Sequence, residues 1–257
     1  MYREKFDLTG STAFITGGGR GMGLAAAEAL SEHGARVIIS DMDPLILDAG
    51  RNEMAAKGYV VETVLLDVTR PADVTRAADD VNRRFGPVNI LVANAGIALP
   101  RSPGEDMPDD VWLKVIDVNL NGVFWCCRAF GKHMLAQGGG SIVTIGSMSG
   151  AISNKPQEQA QYNASKAGVH HLTKSLAGEW AARGVRVNSV APGYINTVMS
   201  RGGFSNPDYF PVWMENTPMK RVGEADEIAA VVLFLASPAS SFLTGSVILA
   251  DGGYSVW

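Results

Sequence analysis

Thr12–Asp41 reads TAFITGGGRGMGLAAAEALSEHGARVIISD, and this stretch decides the fold. Five β-favouring residues, Thr12–Thr16, run directly into Gly17-Gly18-Gly19-Arg20-Gly21-Met22-Gly23. An alanine-rich helical stretch, Leu24–His33, follows and stops at Gly34. Strand, glycine loop and helix start is the context that gives such a motif meaning. Glycine lets the backbone turn tightly and approach a ligand, while a helix start offers unpaired N–H groups to a pyrophosphate. No Gly-Lys-Ser/Thr ending is present, which disfavours a nucleoside-triphosphate loop. A second strand, Arg36–Ser40, ends at Asp41, about twenty positions past the glycines, where a carboxylate can accept from both adenosine ribose hydroxyls. That carboxylate would repel a 2′-phosphate, and Met42 stands where a phosphate would want a base, so the reading is NAD over NADP. Arg20 in the loop argues the other way, since a guanidinium there can reach a phosphate. Asp41 also suits a helix N-cap.

Outward from this unit the pattern repeats. Asp43–Lys57 predicts a helix and Tyr59–Leu66 a strand ending at Asp67-Val68. Pro71–Phe85 predicts a helix with Pro in its first turn, and Val88–Ala93 a strand running into Asn94-Ala95-Gly96. Strands alternating with helices of this length imply right-handed crossovers and a parallel sheet, with ligands beyond the carboxyl ends of the strands. Asp41, Asp67 and Asn94 all fall at such ends. Further on, Met107–Gln137 predicts one long helix carrying Asn119, a poor helix former placed where a kink would serve a function. Val185–Ala191 and Ser246–Ala250 predict the last two strands, with the helix Glu224–Ala236 between them. The expected fold is a single α/β domain over residues 1–257: a doubly wound parallel sheet of about seven strands with helices on both faces.

The chemistry-bearing stretch is Ser141–Arg183. An apolar run, Ser141–Gly146, leads to Ser147, and a predicted helix then carries Tyr162 four residues before Lys166. Positions four apart share a helical face. An ammonium beside a phenol favours phenolate, so Tyr162 can exchange a proton nearer neutrality than a free tyrosine would. Ser147 can orient an oxygen at the same place. This equipment moves a proton on and off an alcohol.

Taken together, Thr16-Gly17-x-x-x-Gly21-x-Gly23, Asp67, Asn94-Ala95-Gly96, Asn119, Ser147, Tyr162-x-x-x-Lys166 and Pro192-Gly193 resemble the short-chain dehydrogenase/reductase family over essentially the whole chain. The resemblance implies a Rossmann-type domain, a nicotinamide dinucleotide and hydride transfer at a carbinol or carbonyl carbon. It implies Tyr162 as general base or acid, Lys166 as its partner and as the holder of the nicotinamide ribose, Ser147 on the reacting oxygen, and Asn119 behind a water leading from Lys166 to solvent. On the cofactor side it implies Gly17, Arg20, Gly21, Met22 and Gly23 at the pyrophosphate, with Asp41 and Met42 at the ribose. Asp67 and Val68 would hold the adenine, Asn94, Ala95 and Gly96 would line the adenosine ribose side, and Pro192, Gly193, Ile195 and Thr197 would embrace the nicotinamide. It also implies a homotetramer or homodimer built through the helices carrying Asn119 and Tyr162.

Two departures stand out. Ala93 replaces an asparagine often found before Asn-Ala-Gly, and Ser147 lies two residues farther from Tyr162 than in many members. Ser149 restores the shorter spacing; Ser147 is preferred because it follows the apolar run immediately.

A connection at about residues 194–221, rich in Gly, Pro, Met and aromatics, reads as a substrate loop. The polar segment Ser149–Gln161, with Ser153, Asn154, Gln157 and Gln159, offers an opposite wall suited to a hydroxyl-rich ligand. Within the family, this segment and the ending Asp251–Trp257 are similar to bacterial sugar-alcohol dehydrogenases of the galactitol, arabinitol and sorbitol type. That similarity names a polyol or ketose as the small-molecule partner, with Ser147, Ser149, Asn154 and Tyr162 as substrate contacts. The enzyme alternative is an NADPH-dependent 3-oxoacyl thioester reductase; the non-enzyme alternative is an NAD-sensing or scaffold protein, which has no need of a proton relay.

Composition sets the outer bounds. At 257 residues and 46% apolar content the chain can bury a full core without metal or disulfide staples. A net charge of −4 without a basic run argues against nucleic acid, and no apolar run is long enough for a membrane span. The expected compartment is the cytoplasm. Cys126 and Cys127 are helix neighbours that point apart, so buried thiols are expected rather than a mutual disulfide. The four histidines lack metal-ligand spacing; His170 and His171 read as helix-surface or interface residues, and no metal is expected except that the Trp257 carboxylate could join a subunit contact or a structural cation.

Overall fold

The structure is a computed structural model describing residues 1–99 and 102–257. Its strands are β1 Thr12–Thr16, β2 Arg36–Asp41, β3 Val61–Leu65, β4 Ile90–Ala93, β5 Gly140–Ile145, β6 Val185–Pro192 and β7 Val247–Ala250. They form one seven-stranded sheet in the order β3-β2-β1-β4-β5-β6-β7, every pairing parallel. The strand order reverses between β1 and β4, which opens a crevice at their carboxyl ends.

The sheet is covered on both faces because its strands are apolar in both directions. Ala13 and Ile15 of β1, with Val37 and Ile39 of β2, point into a core shared with α1 (Gly21–Glu32), α2 (Pro44–Ala56) and α9 (Ala225–Ala236). The intervening Phe14 and Ile38 point the other way, into a core shared with α3 (Pro71–Phe85), α5 (Gly122–Gln137) and α6 (Ala160–Trp180). The period of two thus feeds two hydrophobic layers rather than one. Phe14 stacks on Phe130 of α5 at 4.4 Å. Cys126 and Cys127 are free and buried in this second core.

Three sequence expectations change in detail. The helix expected over Met107–Gln137 is α4 (Asp109–Ile116), a five-residue π-helical segment Asp117–Asn121, and α5. The kink expected at Asn119 therefore takes the form of a widened turn. The connection after β6 carries two short helices, α7 (Val198–Phe204) and α8 (Phe210–Asn216). Their aromatics build a small core of their own: Trp213 is buried, stacks on Tyr194 at 3.8 Å, and meets Phe204 edge-on at 6.1 Å. Finally, the third strand is trimmed at both ends, leaving Val60 exposed at the sheet edge.

Candidate active site

β1 delivers the chain into the glycine loop, where Gly17 and Gly21 take the left-handed φ values +60° and +56°. At Gly23 a Cβ would sit 2.3 Å from the Gly17 carbonyl oxygen, so the loop can fold flat onto the helix only without a side chain there. The loop is clasped by Asn94, whose Nδ2 donates to the carbonyls of Thr16 and Gly17, both at 2.9 Å. The Thr16 hydroxyl returns the tie, accepting from the backbone N–H groups of Asn94 and Ala95 at 3.0 Å each. The Asn94 amide thereby locks β1 to β4. The backbone bond from Leu24 N to the Arg20 carbonyl (3.3 Å) leaves the N–H groups of Gly21, Met22 and Gly23 ahead of the helical ladder, available to a pyrophosphate.

Asp41 ends β2 with its carboxylate accepting from Asp43 N at 3.2 Å. The N-cap of α2 is Asp43, which accepts from Leu45 N at 2.9 Å, so capping does not occupy Asp41. Arg20 and Met42 are both exposed. At the end of β3, the Asp67 carboxylate accepts from the Thr69 N–H and hydroxyl, and Val68 packs under Gly122 of α5. These residues are laid out along the strand ends as a nucleotide site requires.

The catalytic candidates converge at the neighbouring strand ends. A cleft there is lined by Met22, Asn94, Gly96, Ile97, Ile145, Gly146, Ser147, Tyr162, Lys166, Pro192, Gly193, Ile195, Thr197, Met199 and Ser200. Ser147 is the first residue beyond β5 and Gly146, and it is buried. The Tyr162 hydroxyl is hydrogen-bonded to it. Burial pushes the phenol up from its ordinary value, and the Ser147 bond pulls it back down. Lys166, one turn on, is almost fully buried, and its Nζ donates to the Ile145 carbonyl at 2.8 Å. Burial lowers this ammonium to about 8. The lysine lies 5.7 Å from the tyrosine ring centroid, and the net effect on the phenol is upward, opposite in sign to the lowering that the spacing alone led one to expect. Desolvation outweighs the Ser147 hydrogen bond in this arrangement.

Asn119 sits buried in the π-helical turn. Its Oδ1 accepts from Ile97 N at 2.8 Å and its Nδ2 donates to the Ile97 carbonyl at 2.9 Å, fixing the backbone just after Gly96. A third contact reaches the Ser165 hydroxyl at 3.3 Å. The widened turn spends helical bonding to aim this amide inward.

Ser149, the rival to Ser147, does not line the cleft; its hydroxyl donates to Asn154 Oδ1 at 2.9 Å, and its N–H donates to Ser147 Oγ at 3.1 Å. Asn154 in turn donates to the Tyr194 hydroxyl at 3.1 Å. Sequence reasoning passed over that tyrosine. Its hydroxyl also accepts from Gln157 Nε2 at 2.9 Å, while Gln157 Oε1 accepts from Trp213 Nε1 at 3.1 Å. The Pro192-Gly193-Tyr194 sequence gave the only hint, an aromatic directly after a turn at the nicotinamide end. Also unforeseen, His170 of α6 is buried against Gly146 rather than surface-facing. Among the described residues, no group of three or more His, Cys, Asp or Glu could hold a metal.

A family profile described as enoyl-(acyl carrier protein) reductase matches residues 17–255. Galactitol 2-dehydrogenase from Rhizobium johnstonii is 48% identical, with all of this chain and 99% of that protein covered. The L-tagatose-forming galactitol 2-dehydrogenase of Cereibacter sphaeroides is 47% identical over the same shares. This chain is a short-chain dehydrogenase/reductase. Its dehydrogenase fold superposes on the crystal structure of gox2181 with a TM-score of 0.98, 49% identity and full coverage of both chains. A gluconate 5-dehydrogenase from Burkholderia cenocepacia J2315, solved with NADP and tartrate, gives 0.94 at 35% identity, again over both whole chains. The dehydrogenase accordingly belongs to a family of oxidoreductases that bind a nicotinamide dinucleotide.

Proposed function

We propose that the protein oxidises a secondary hydroxyl of a sugar alcohol to a ketose, using NAD. The observation that carries the reading is the convergence of Ser147, Tyr162 and Lys166 on one cleft beside the glycine cradle, in a chain nearly half identical to two galactitol 2-dehydrogenases over its full length. Asn154, Gln157 and Tyr194 hydrogen-bond to one another outside the residues that line the cleft, so the preference for a hydroxyl-rich substrate over an acyl chain is supported by the two galactitol relatives.

Gly17, Gly21, Met22 and Gly23 would hold the pyrophosphate, with Arg20 at its edge. Asp41 and Met42 would hold the adenosine ribose, Asp67 and Val68 the adenine, and Asn94–Gly96 the floor between them. Pro192, Gly193, Ile195 and Thr197 would hold the nicotinamide end. When bound, the oxidised dinucleotide supplies a hydride acceptor and a positive ring charge. The carbinol is oriented by Ser147 Oγ and Tyr162 Oη, so its O–H proton passes to the phenolate of Tyr162 as its C–H bond yields the hydride. A positive charge in the cleft favours that phenolate against the upward push of burial. In the reverse direction the protonated phenol is already the acid that carbonyl reduction needs.

Asp41, free of capping duty, supports NAD by crowding and repelling a 2′-phosphate. Arg20 and the NADP-bound gluconate 5-dehydrogenase favour the second reading, NADP. Rates with a panel of hexitols and pentitols, each with NAD and NADP, test both points. Turnover of at least one hexitol at a higher kcat/KM with NAD is expected. No turnover of any polyol would remove the substrate proposal, and a preference for NADP would remove the cofactor proposal. We further propose a homo-oligomer, supported by the fully exposed Phe242 ahead of the edge strand β7 and the half-exposed Leu249 within it. No described helix is long and apolar enough to cross a membrane.

A further inference from the structure

The link between β5 and the 3₁₀ turn Met148–Gly150 has to place the Ser147 hydroxyl, and its two peptide groups are gripped from one helix. Gly146 N donates to Val190 O at 2.7 Å, the last bond the sheet offers this strand. One residue on, the Ser147 N–H has left the sheet in a buried position, where a donor needs a partner. That partner is His170 Nε2, at 3.4 Å. His170 stands one helical turn after Lys166, and Lys166 Nζ holds the Ile145 carbonyl. The two side chains therefore bracket Gly146 from α6, the lysine on the oxygen before it and the imidazole on the N–H after it.

The space for the ring is made by glycine. A Cβ on Gly146 would lie 2.4 Å from His170 Nε2, and one on Gly150 would lie 2.7 Å from His170 Cε1. The residues flanking the serine turn thus lack side chains where the imidazole packs. An aliphatic residue could fill that space, but it could not accept the Ser147 N–H. From this geometry we infer that His170 is a positioning residue: neutral, with its proton on Nδ1, it accepts the Ser147 amide and thereby fixes the serine hydroxyl against Tyr162. Burial and the nearby Lys166 and Lys174 ammonium groups lower the imidazole to about 4, which keeps Nε2 an acceptor at working pH. The inference rests on the reading of Ser147 as the group that orients the reacting oxygen.

Two variants and one spectrum test it. His170→Leu removes the acceptor and should lower kcat about tenfold or more, with a larger primary deuterium isotope effect and an unchanged Kd for the dinucleotide. His170→Gln presents an amide oxygen near the position of Nε2 and should restore kcat to within about threefold of the wild type. Nitrogen-15 spectra of the histidine-labelled wild-type enzyme should show His170 as the neutral Nδ1–H tautomer, a readout that stands even if His170→Leu does not fold. An unchanged kcat in His170→Leu, equal losses in the Leu and Gln variants, or an Nε2–H or charged ring would overturn the inference. These outcomes are distinct from a failure of the proposed function, in which the wild type itself would turn over no polyol.

Discussion

At the residue scale, the proton machinery is set by burial as much as by pairing. Tyr162→Phe keeps the ring but removes the hydroxyl that takes the carbinol proton in the proposed reaction, so kcat should fall about 10²–10⁴-fold while the dinucleotide still binds. Steady-state rates and a binding titration check both halves. His170 gives a stability signature with a definite sign. Its folded value of about 4 lies below the ordinary 6.5, so between those pH values the unfolded chain binds a proton that the folded chain refuses. Stability contributed by the neutral ring is present above about pH 6.5 and is lost as pH falls through 4, by on the order of 3 kcal/mol at most. Urea denaturation at several pH values should show this slope in the wild type and a shallower one in His170→Gln. Tyr162-x-x-x-Lys166 and the glycine loop were legible in the sequence because spacing encodes them. The sign of the phenol shift was not, because it depends on how much water burial strips from the hydroxyl, which no spacing records. His170 was read as a surface residue for a related reason: its neighbours on the helix are mixed, and the glycines that admit its ring belong to a strand end well upstream.

Elements show the same division. Apolar runs located every strand, since two-sided burial leaves a central strand largely apolar, and six predicted helical stretches cover α1 to α6 and α9. The π-helical turn was legible only as an awkward asparagine, because what makes it is the distant backbone of Ile97 pairing with Asn119. Arg186 of β6 was silent in the sequence altogether. Its guanidinium donates to the carbonyls of Leu235, Ser237, Ser240 and Leu243, closing the carboxyl end of α9 without any carboxylate partner. Arg186→Met should leave those acceptors unmet in a partly buried place and cost about 2–4 kcal/mol. Chemical denaturation should register that loss, with the Tyr162-dependent chemistry unaffected in the molecules that remain folded.

Across the whole molecule, the segment after β6 is held by rings rather than by the sheet. Trp213 is stacked on Tyr194 and packs against Gly203, where a Cβ would meet the indole at 2.0 Å. The Trp257 indole N–H donates to the Asn216 carbonyl, tying the chain's end to α8. Trp213→Ala should free α7 and α8 locally, raising the substrate KM about tenfold and admitting protease between residues 198 and 216, while the melting temperature moves little. The sequence marked this connection as an aromatic-rich substrate loop; it could not announce the two helices, which are too short to carry a clear period. Cys126 and Cys127, seated under the opposite layer, lead to something different. Burial raises Cys127 to about 12 and Cys126 higher still, so neither sulfur is a nucleophile while the fold is closed. An alkylating reagent would therefore tag only chains whose central layer has come apart, and the rate of tagging would serve as a stopwatch for global opening, blind to any local movement of α7 and α8.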